Sequence, residues 1–449
     1  MKIEKFEVDR LFDRFDYTIE LSNINQGLAI IAAPNGYGKT TILKMIDSFS
    51  KGDFFIFFRE SFKEVRFYLS YGKVIQIIKK SDNSEQDIII TDGEYSNTIN
   101  DPLNDNQFIH WVNIIEKYIP YLRRVGPRTW RDEREGDIVN FQDILNRYKK
   151  HPALRKRVGN KISWLESVIS SLAVFTISTN RLSNGDEDKS MVHHIAKNIK
   201  EKIGGAIRDQ FEEGRKKETN FPTRIMNYLA KGNYPSKESV LHSIQKLKEI
   251  EDHYSDLGLI PDTETTQQFN THIKTTSDSG AGLLVLKTYL DDVFEKLSLL
   301  DILAKKLDIF SSSVNKLISF KEIKTSIDDG FYVRMVDGKK NTIALDSLSS
   351  GEQHLIVLIG RLVFETSNDS LVLIDEPEIS FHPEWQEKFI EILNEIKKMN
   401  GFDVILATHS PILIGEDYWD NVVELADQYN PIEIIELSDN LRLEDQNEY

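Results

Sequence analysis

The 449-residue sequence contains no cysteine. This excludes disulfides, thiolate zinc sites, iron–sulfur clusters and a cysteine nucleophile. Long apolar runs are also missing: stretches such as Leu355–Ile359 fall far short of the ~20 residues that span a bilayer. The first residues, Met1-Lys2-Ile3-Glu4-Lys5, mix charges and carry no apolar secretory stretch, so a cytoplasmic location is expected. Positive charge is in deficit. The 56 Lys and Arg are outnumbered by 72 Asp and Glu, a net charge of −16, which argues against a surface coated with nucleic acid. What remains, 40% hydrophobic, 29% charged and 10% aromatic, is the composition of a globular protein long enough for two or three domains.

The first 50 residues read as α/β. Alternating apolar positions at Ile3, Phe6 and Val8 and at Tyr17, Ile19 and Leu21 suggest a strand pair, and Leu28–Ala32 reads as a strand buried on both faces. Hairpin signals run from Val65 to Ser96, and helical patterns cover 107–122 and 162–172. Ala173–Ile177 reads as a further strand, leading into Ser178-Thr179-Asn180-Arg181. From about Met191 to Ser319 strand signals give way to helical spacing. Leu283, Leu286, Leu290, Val293, Leu297, Leu300, Ala304 and Leu307 form a heptad seam, which predicts one uninterrupted helix over Gly280–Ile318. A second arm, with Val240, Ile244, Leu247, Ile250, Tyr254 and Leu257, suggests its partner in an antiparallel hairpin. After Phe320 the α/β pattern returns, with a hairpin turning at Asp337-Gly338, buried strands Leu371–Ile374 and Val404–Ala407, and a short strand over Ile432–Leu437. The expected division is residues 1–185 and 325–449 for the two parts of a split α/β head, with a helical insertion at 186–324. Between Arg123 and Lys161 twelve basic residues face five acidic ones, either a solvated face or a surface for phosphate or an acidic partner.

Four motifs carry chemistry. Ala33-Pro34-Asn35-Gly36-Tyr37-Gly38-Lys39-Thr40 follows a buried strand and opens a helix, the setting of a phosphate-binding loop, although Ala33 stands where the pattern has glycine. Lys39 is then expected to reach the β- and γ-phosphates of ATP and Thr40 to bind Mg²⁺. Leu371–Asp375 is an apolar strand ending in two acids, Asp375 as a Mg²⁺ holder and Glu376 as the group activating water; this strand is expected beside the phosphate-loop strand. Leu348-Ser349-Ser350-Gly351-Glu352-Gln353 precedes a helix, as an anion site or a plain cap. His409 ends another buried strand, as a γ-phosphate donor or a structural histidine.

The order of these motifs, with Asp375 24 residues after Gly351 and His409 33 after Glu376, resembles the ABC-type ATPases of the SMC class. The resemblance covers Met1–Ser50 and Ile343–Pro411. It implies an α/β fold of the P-loop NTPase, ABC/SMC-head type with a helical, coiled-coil-like insertion. By it, Ala33–Thr40 is the Walker A motif, Leu348–Gln353 the signature, Asp375 and Glu376 the Walker B acids, 379–383 the D-loop and His409 the switch histidine. The implied nucleotide set is Asn35, Gly36, Tyr37, Gly38, Lys39, Thr40, Thr41, Ser349, Ser350, Gly351 and Glu352, with Thr40 and Asp375 at the metal and Glu376 and His409 catalytic. No glutamine fits the Q-loop persuasively, Gln76 being the one candidate. Glu376-Pro377-Glu378 with His382-Pro383 and Gln386 is similar to the form found in bacterial OLD-like defence ATPases, as is the segment ending in Arg181, placed near the nucleotide. Because 40 residues follow His409, no nuclease domain is expected downstream. The resemblance then points to ATPases of two-gene anti-phage systems, PARIS before Septu. It implies a homodimer or higher homo-oligomer up to a hexamer, a separate TOPRIM- or HNH-type effector nuclease, a phage-encoded trigger, nucleic acid held by Arg123–Lys161, and no membrane. The alternative is a DNA-repair ATPase like the RecF group.

Overall fold

The computed structural model describes residues 1–21, 27–80, 87–101, 105–134, 136–141, 144, 162–179, 190–261, 280–336 and 342–428. Arg181, the turn at Asp337-Gly338, the strand at Ile432–Leu437 and the basic residues from Arg147 to Lys161 lie outside them. The chain divides into two units: Met1–Thr179 with Ser367–Pro377 and Gly401–Tyr449, and Asn180–Thr366 with Glu378–Asn400. Strands, and helices of nine residues or more, are numbered along the chain.

In the first unit, five strands form a parallel sheet in the order β11 (Val174–Ile177), β15 (Leu371–Asp375), β16 (Asp403–Thr408), β3 (Leu28–Ala32), β17 (Val422–Glu424). Apolar runs such as Leu-Ala-Ile-Ile and Leu-Val-Leu-Ile suit strands buried on both faces. A six-stranded antiparallel sheet runs β2 (Phe15–Glu20), β1 (Ile3–Leu11), β4 (Glu64–Leu69), β5 (Lys73–Lys79), β6 (Ile88–Thr91), β7 (Ser96–Ile99). Helix α1 (Lys39–Ser50) packs on β11, β15 and β16, while its Phe49 stacks on Phe67 of β4 with ring centroids 3.9 Å apart. Ile42, Met45, Ile46 and Phe49 are fully buried there and join both sheets into one core.

The acid-bearing strand β15 is not beside β3, contrary to expectation: β16 lies between, pairing Asp375 with Ala407 and Thr408 with Ala32. Apolar runs of one character carry no record of which is whose neighbour. The crossover of α1 from the end of β3 back over β16 and β15 spans that extra strand and brings its first turn to Asp375.

A small local core stands in the same unit. Helix α2 (Asp105–Tyr118) covers a three-stranded sheet of β8 (Leu122–Gly126), β9 (Thr129–Asp132) and β10 (Ile138–Asn140), closing over the fully buried Trp130 with Phe108, Trp111 and Phe141. Leu122 belongs to the strand, so the helix expected over 107–122 ends earlier. Helix α3 (Ser163–Ser171) leads into β11.

The second unit is mostly helical: α4 (Met191–Lys231), α5 (Lys237–Asp256), α6 (Gly280–Ser298), α7 (Asp301–Asn315), α8 (Ser350–Phe364) and α9 (Pro383–Asn400), with a small sheet of β12 (Lys321–Ser326), β13 (Gly330–Met335) and β14 (Thr342–Ile343). Two helical expectations are corrected here. The heptad seam is not one helix but breaks between Ser298 and Asp301. There Ser298 turns its hydroxyl back onto the carbonyl of Glu295, and Asp301 opens α7 with a carboxylate at its N-terminus. Seam spacing survives the break, which is why periodicity misses it. Nor do α5 and α6 form an antiparallel hairpin. Ser243 meets Lys287, and Lys246 lies over Phe294, so the two run parallel. The antiparallel partner of α6 is α4, where Arg224 pairs with Asp292 and Lys217 with Glu295. Only a short connection forces neighbouring helices antiparallel, and the 18 residues from Asp262 to Ser279 suffice to return the chain.

Candidate functional site

The phosphate loop joins β3 to α1. Its left-handed positions are Gly36 (φ 93°) and Gly38 (φ 87°), so glycine is required there and Ala33 meets no such demand. At Gly38 space is also closed: a Cβ would lie 2.9 Å from Leu11 and 3.1 Å from Phe12. Those residues arrive from the β1–β2 hairpin, whose register shifts after Val8 and whose Arg10, Phe12 and Asp13 are all left-handed. Neither Leu11 nor Phe12 carries a motif, so sequence reading passes over them. Tyr37 leans on Phe15, 5.5 Å between centroids, and Asn35 is exposed. Thr41 is half-buried on the first turn of α1. The buried Lys39 ammonium donates to the carbonyls of Ala33 (2.6 Å) and Pro34 (3.3 Å).

Three strand ends meet this loop. Asp375 is 6% exposed, and its carboxylate accepts the Thr40 hydroxyl at 3.0 and 3.1 Å and the Thr179 hydroxyl at 2.9 Å. Next along the chain, Glu376 holds a left-handed backbone (φ 45°) while its N–H donates to Ala407 on β16. Such a conformation costs a non-glycine residue ~1–3 kcal/mol and persists where the surroundings dictate it. Glu376 Oε1 lies 3.8 Å from His409 Nδ1. His409 is itself bracketed: the Ser410 N–H donates to Thr408 Oγ1, and the Ser410 hydroxyl caps the following turn. A cavity of about 430 Å³ opens beside these groups, lined by Pro34, Asn35, His409, Ile414, Trp419 and Glu424 among others. Among the described residues, the side chains that meet Asp375 present only oxygen, the hard set that suits Mg²⁺.

The signature segment is in the second unit. Ser349 caps α8 in a reciprocal box: its hydroxyl accepts from the Glu352 N–H, and Glu352 Oε2 accepts the Ser349 N–H at 2.8 Å. Burial pushes the Glu352 carboxyl up, but Lys321 at 2.8 Å and the Ser349 donors outweigh it and hold the group below the usual carboxylate range. Ser350 stays exposed. Gly351 is compelled by contact: a Cβ would sit 2.7 Å from the carbonyl oxygen of Ser380, itself left-handed at φ 68°. Gln386 holds the same loop by donating to the Phe381 carbonyl.

The structure therefore brings together the phosphate loop, Thr40, Asp375, Glu376 and His409, with Ser349–Glu352 on the other unit and Arg181 outside the described residues. Gln76 is not near this cluster. It sits mid-strand on β5 opposite Arg66 and Thr91, so the Q-loop candidate fails. Thr179, whose hydroxyl meets Asp375, carries no motif of its own in the sequence, so sequence reading passes over it.

Residues 233–415 match a family described as "AAA domain, putative AbiEii toxin, Type IV TA system". Among curated proteins the chain is 26% identical over 132 residues to Protein ea59 of Escherichia phage lambda, covering 29% of this chain and 23% of that one. It is 29% identical over 132 residues to a putative ABC transporter ATP-binding protein of Clostridium perfringens, covering 28% and 45%. The matches thus span less than half of each relative's length. Solved structures similar to the chain include the Smc head domain of Pyrococcus furiosus with an extended coiled coil bound to the C-terminal domain of ScpA (TM-score 0.37, 14% identity, 98% of this chain and 99% of that). Another is the SMC head domain of Thermotoga maritima (TM-score 0.31, 11% identity, 92% and 91%). The parallel sheet, the phosphate loop and the buried acid two strands away make the fold that of a P-loop ATPase of the ABC/SMC type, with a long helical insertion. Among the described residues, no helix is long and apolar enough to cross a membrane.

Proposed function

We propose that the chain binds and hydrolyses ATP at sites shared between two copies, and that it serves as the sensor subunit of an anti-phage defence system controlling a separate nuclease. The observation carrying the enzymatic part is the pairing of a buried Asp375, held by Thr40, with a backbone-strained Glu376 at the end of the same strand. Lys39 and the N–H groups opening α1 hold the phosphates. Thr40 and Asp375 would hold Mg²⁺, which supplies charge neutralisation on the β- and γ-phosphates when bound. Glu376 orients the attacking water and accepts its proton, and His409 donates towards the γ-phosphate. In the ABC/SMC arrangement, Ser349–Glu352 of one copy close on the nucleotide of the other. The defence part rests on the Glu376–Gln386 segment, on the toxin–antitoxin wording of the matched family and on the phage relative. Within that group the chain resembles the PARIS ATPase AriA first and the Septu ATPase PtuA second.

ATP turnover and equilibrium binding of Lys39→Ala and Glu376→Gln test this. Lys39→Ala loses binding. Glu376→Gln keeps binding but loses turnover by ~10²–10⁴-fold, since an amide accepts no proton from water. Equal turnover in Glu376→Gln and wild type would overturn the assignment. A second reading, a RecF-like DNA-handling ATPase, is favoured by one feature: exposed Arg123 and Arg131 stand directly opposite each other on β8 and β9, a like-charge pair suited to phosphate. Stimulation of turnover by DNA, abolished in Arg123→Ala/Arg131→Ala, would favour that reading over nuclease control.

A further inference from the structure

Asp375 is buried, yet among the described residues no lysine or arginine pairs with it. Its described side-chain partners are two neutral hydroxyls, one from each flank. A buried carboxylate met by hydroxyls offers an all-oxygen set of the kind that suits a divalent cation. One hydroxyl, Thr40, belongs to the phosphate loop. The other, Thr179, comes from beyond the end of β11, which runs parallel to β15 with Ile177 opposite Ile374. That register carries Thr179 past the strand end to the outer side of Asp375, where its hydroxyl donates to Oδ2 at 2.9 Å.

We propose that Thr179 is the positioning residue of the divalent-cation site. Its hydrogen bond to Oδ2 fixes the rotation of the Asp375 carboxylate, which Thr40 meets across both oxygens, and so leaves Oδ1 for the cation that Thr40 and Asp375 would hold. The Thr179 methyl and Cα contribute nothing to this, so the hydroxyl alone is required. The inference rests on the nucleotide site proposed above.

The test uses the full-length protein. Mn²⁺ is titrated into its ADP complex and followed by electron paramagnetic resonance, with nucleotide affinity measured separately in EDTA. Thr179→Val keeps the wild-type affinity for ADP in EDTA and weakens Mn²⁺ binding ~10-fold, the usual effect of losing a group that orients a metal ligand. Thr179→Ser, which retains the hydroxyl, stays close to wild type, and Asp375→Asn loses the cation outright. Thr179→Val that titrates like wild type while Asp375→Asn fails would overturn this inference alone. So would Thr179→Ser as weak as Thr179→Val, since bulk and not the hydroxyl would then matter. Wild type that binds no nucleotide would overturn the site itself and this inference with it.

Discussion

Single residues explain why these motifs have the spelling they have. Gly38 answers to a left-handed backbone and to Leu11 and Phe12, whereas Gly351 answers to the Ser380 carbonyl. Ala33, the departure from the usual pattern, is tolerated because its position makes no left-handed demand. Serine at 349 and glutamate at 352 are accounted for by the capping box, so the anion and cap readings of this segment are not exclusive. The Lys321–Glu352 pair makes a pH prediction. Because the folded carboxyl titrates below its unfolded value, the pair stabilises at neutral pH, and its contribution fades as the pH falls through that depressed value. Thermal unfolding of Lys321→Met should show a deficit of about 1 kcal/mol at pH 7 that shrinks on acidification. A deficit that grows as the pH falls would contradict the assignment.

Elements show where sequence was legible and where it was not. Strands β3, β15 and β16 announce themselves as apolar runs, and the glycines and Lys39 mark the turn after β3. Their order across the sheet, with β16 between β3 and β15, is recorded by no local pattern. The helical insertion was legible as helix but not as topology, since the seam continues through the break at 299–300 and the long link permits α5 and α6 to run parallel. The basic segment holds a surprise of the opposite kind. Between its arginines sits Trp130, fully buried in a local core, while Arg124 lies over that ring at 5.8 Å and Arg128 over Phe108 at 5.1 Å. Part of the charge there thus serves packing. Trp130→Ala should cost about 3–5 kcal/mol of that sheet's local stability. Hydrogen exchange should rise across β8–β10 and α2 with ADP binding intact. Unchanged exchange there would show that Trp130 does not hold this core together.

On the scale of the molecule, the chemistry is divided: phosphate loop, Asp375, Glu376 and His409 in one unit, the Ser349–Glu352 helix start in the other. The motif order along the chain does not carry that division: the helical insertion separates the phosphate loop from the other three motifs, two of which return to its unit. The claim that two copies complete each other's sites is tested most directly by mixing. Lys39→Ala removes the phosphate ligand, and Ser349→Arg removes the cap of α8 and fills the space in front of it. Each variant alone should be inactive. In a mixture whose subunits are shown to exchange, each heterodimer regains one intact site, so ATP turnover should rise well above that of either variant. A mixture that exchanges subunits and stays as inactive as its components would contradict the shared site.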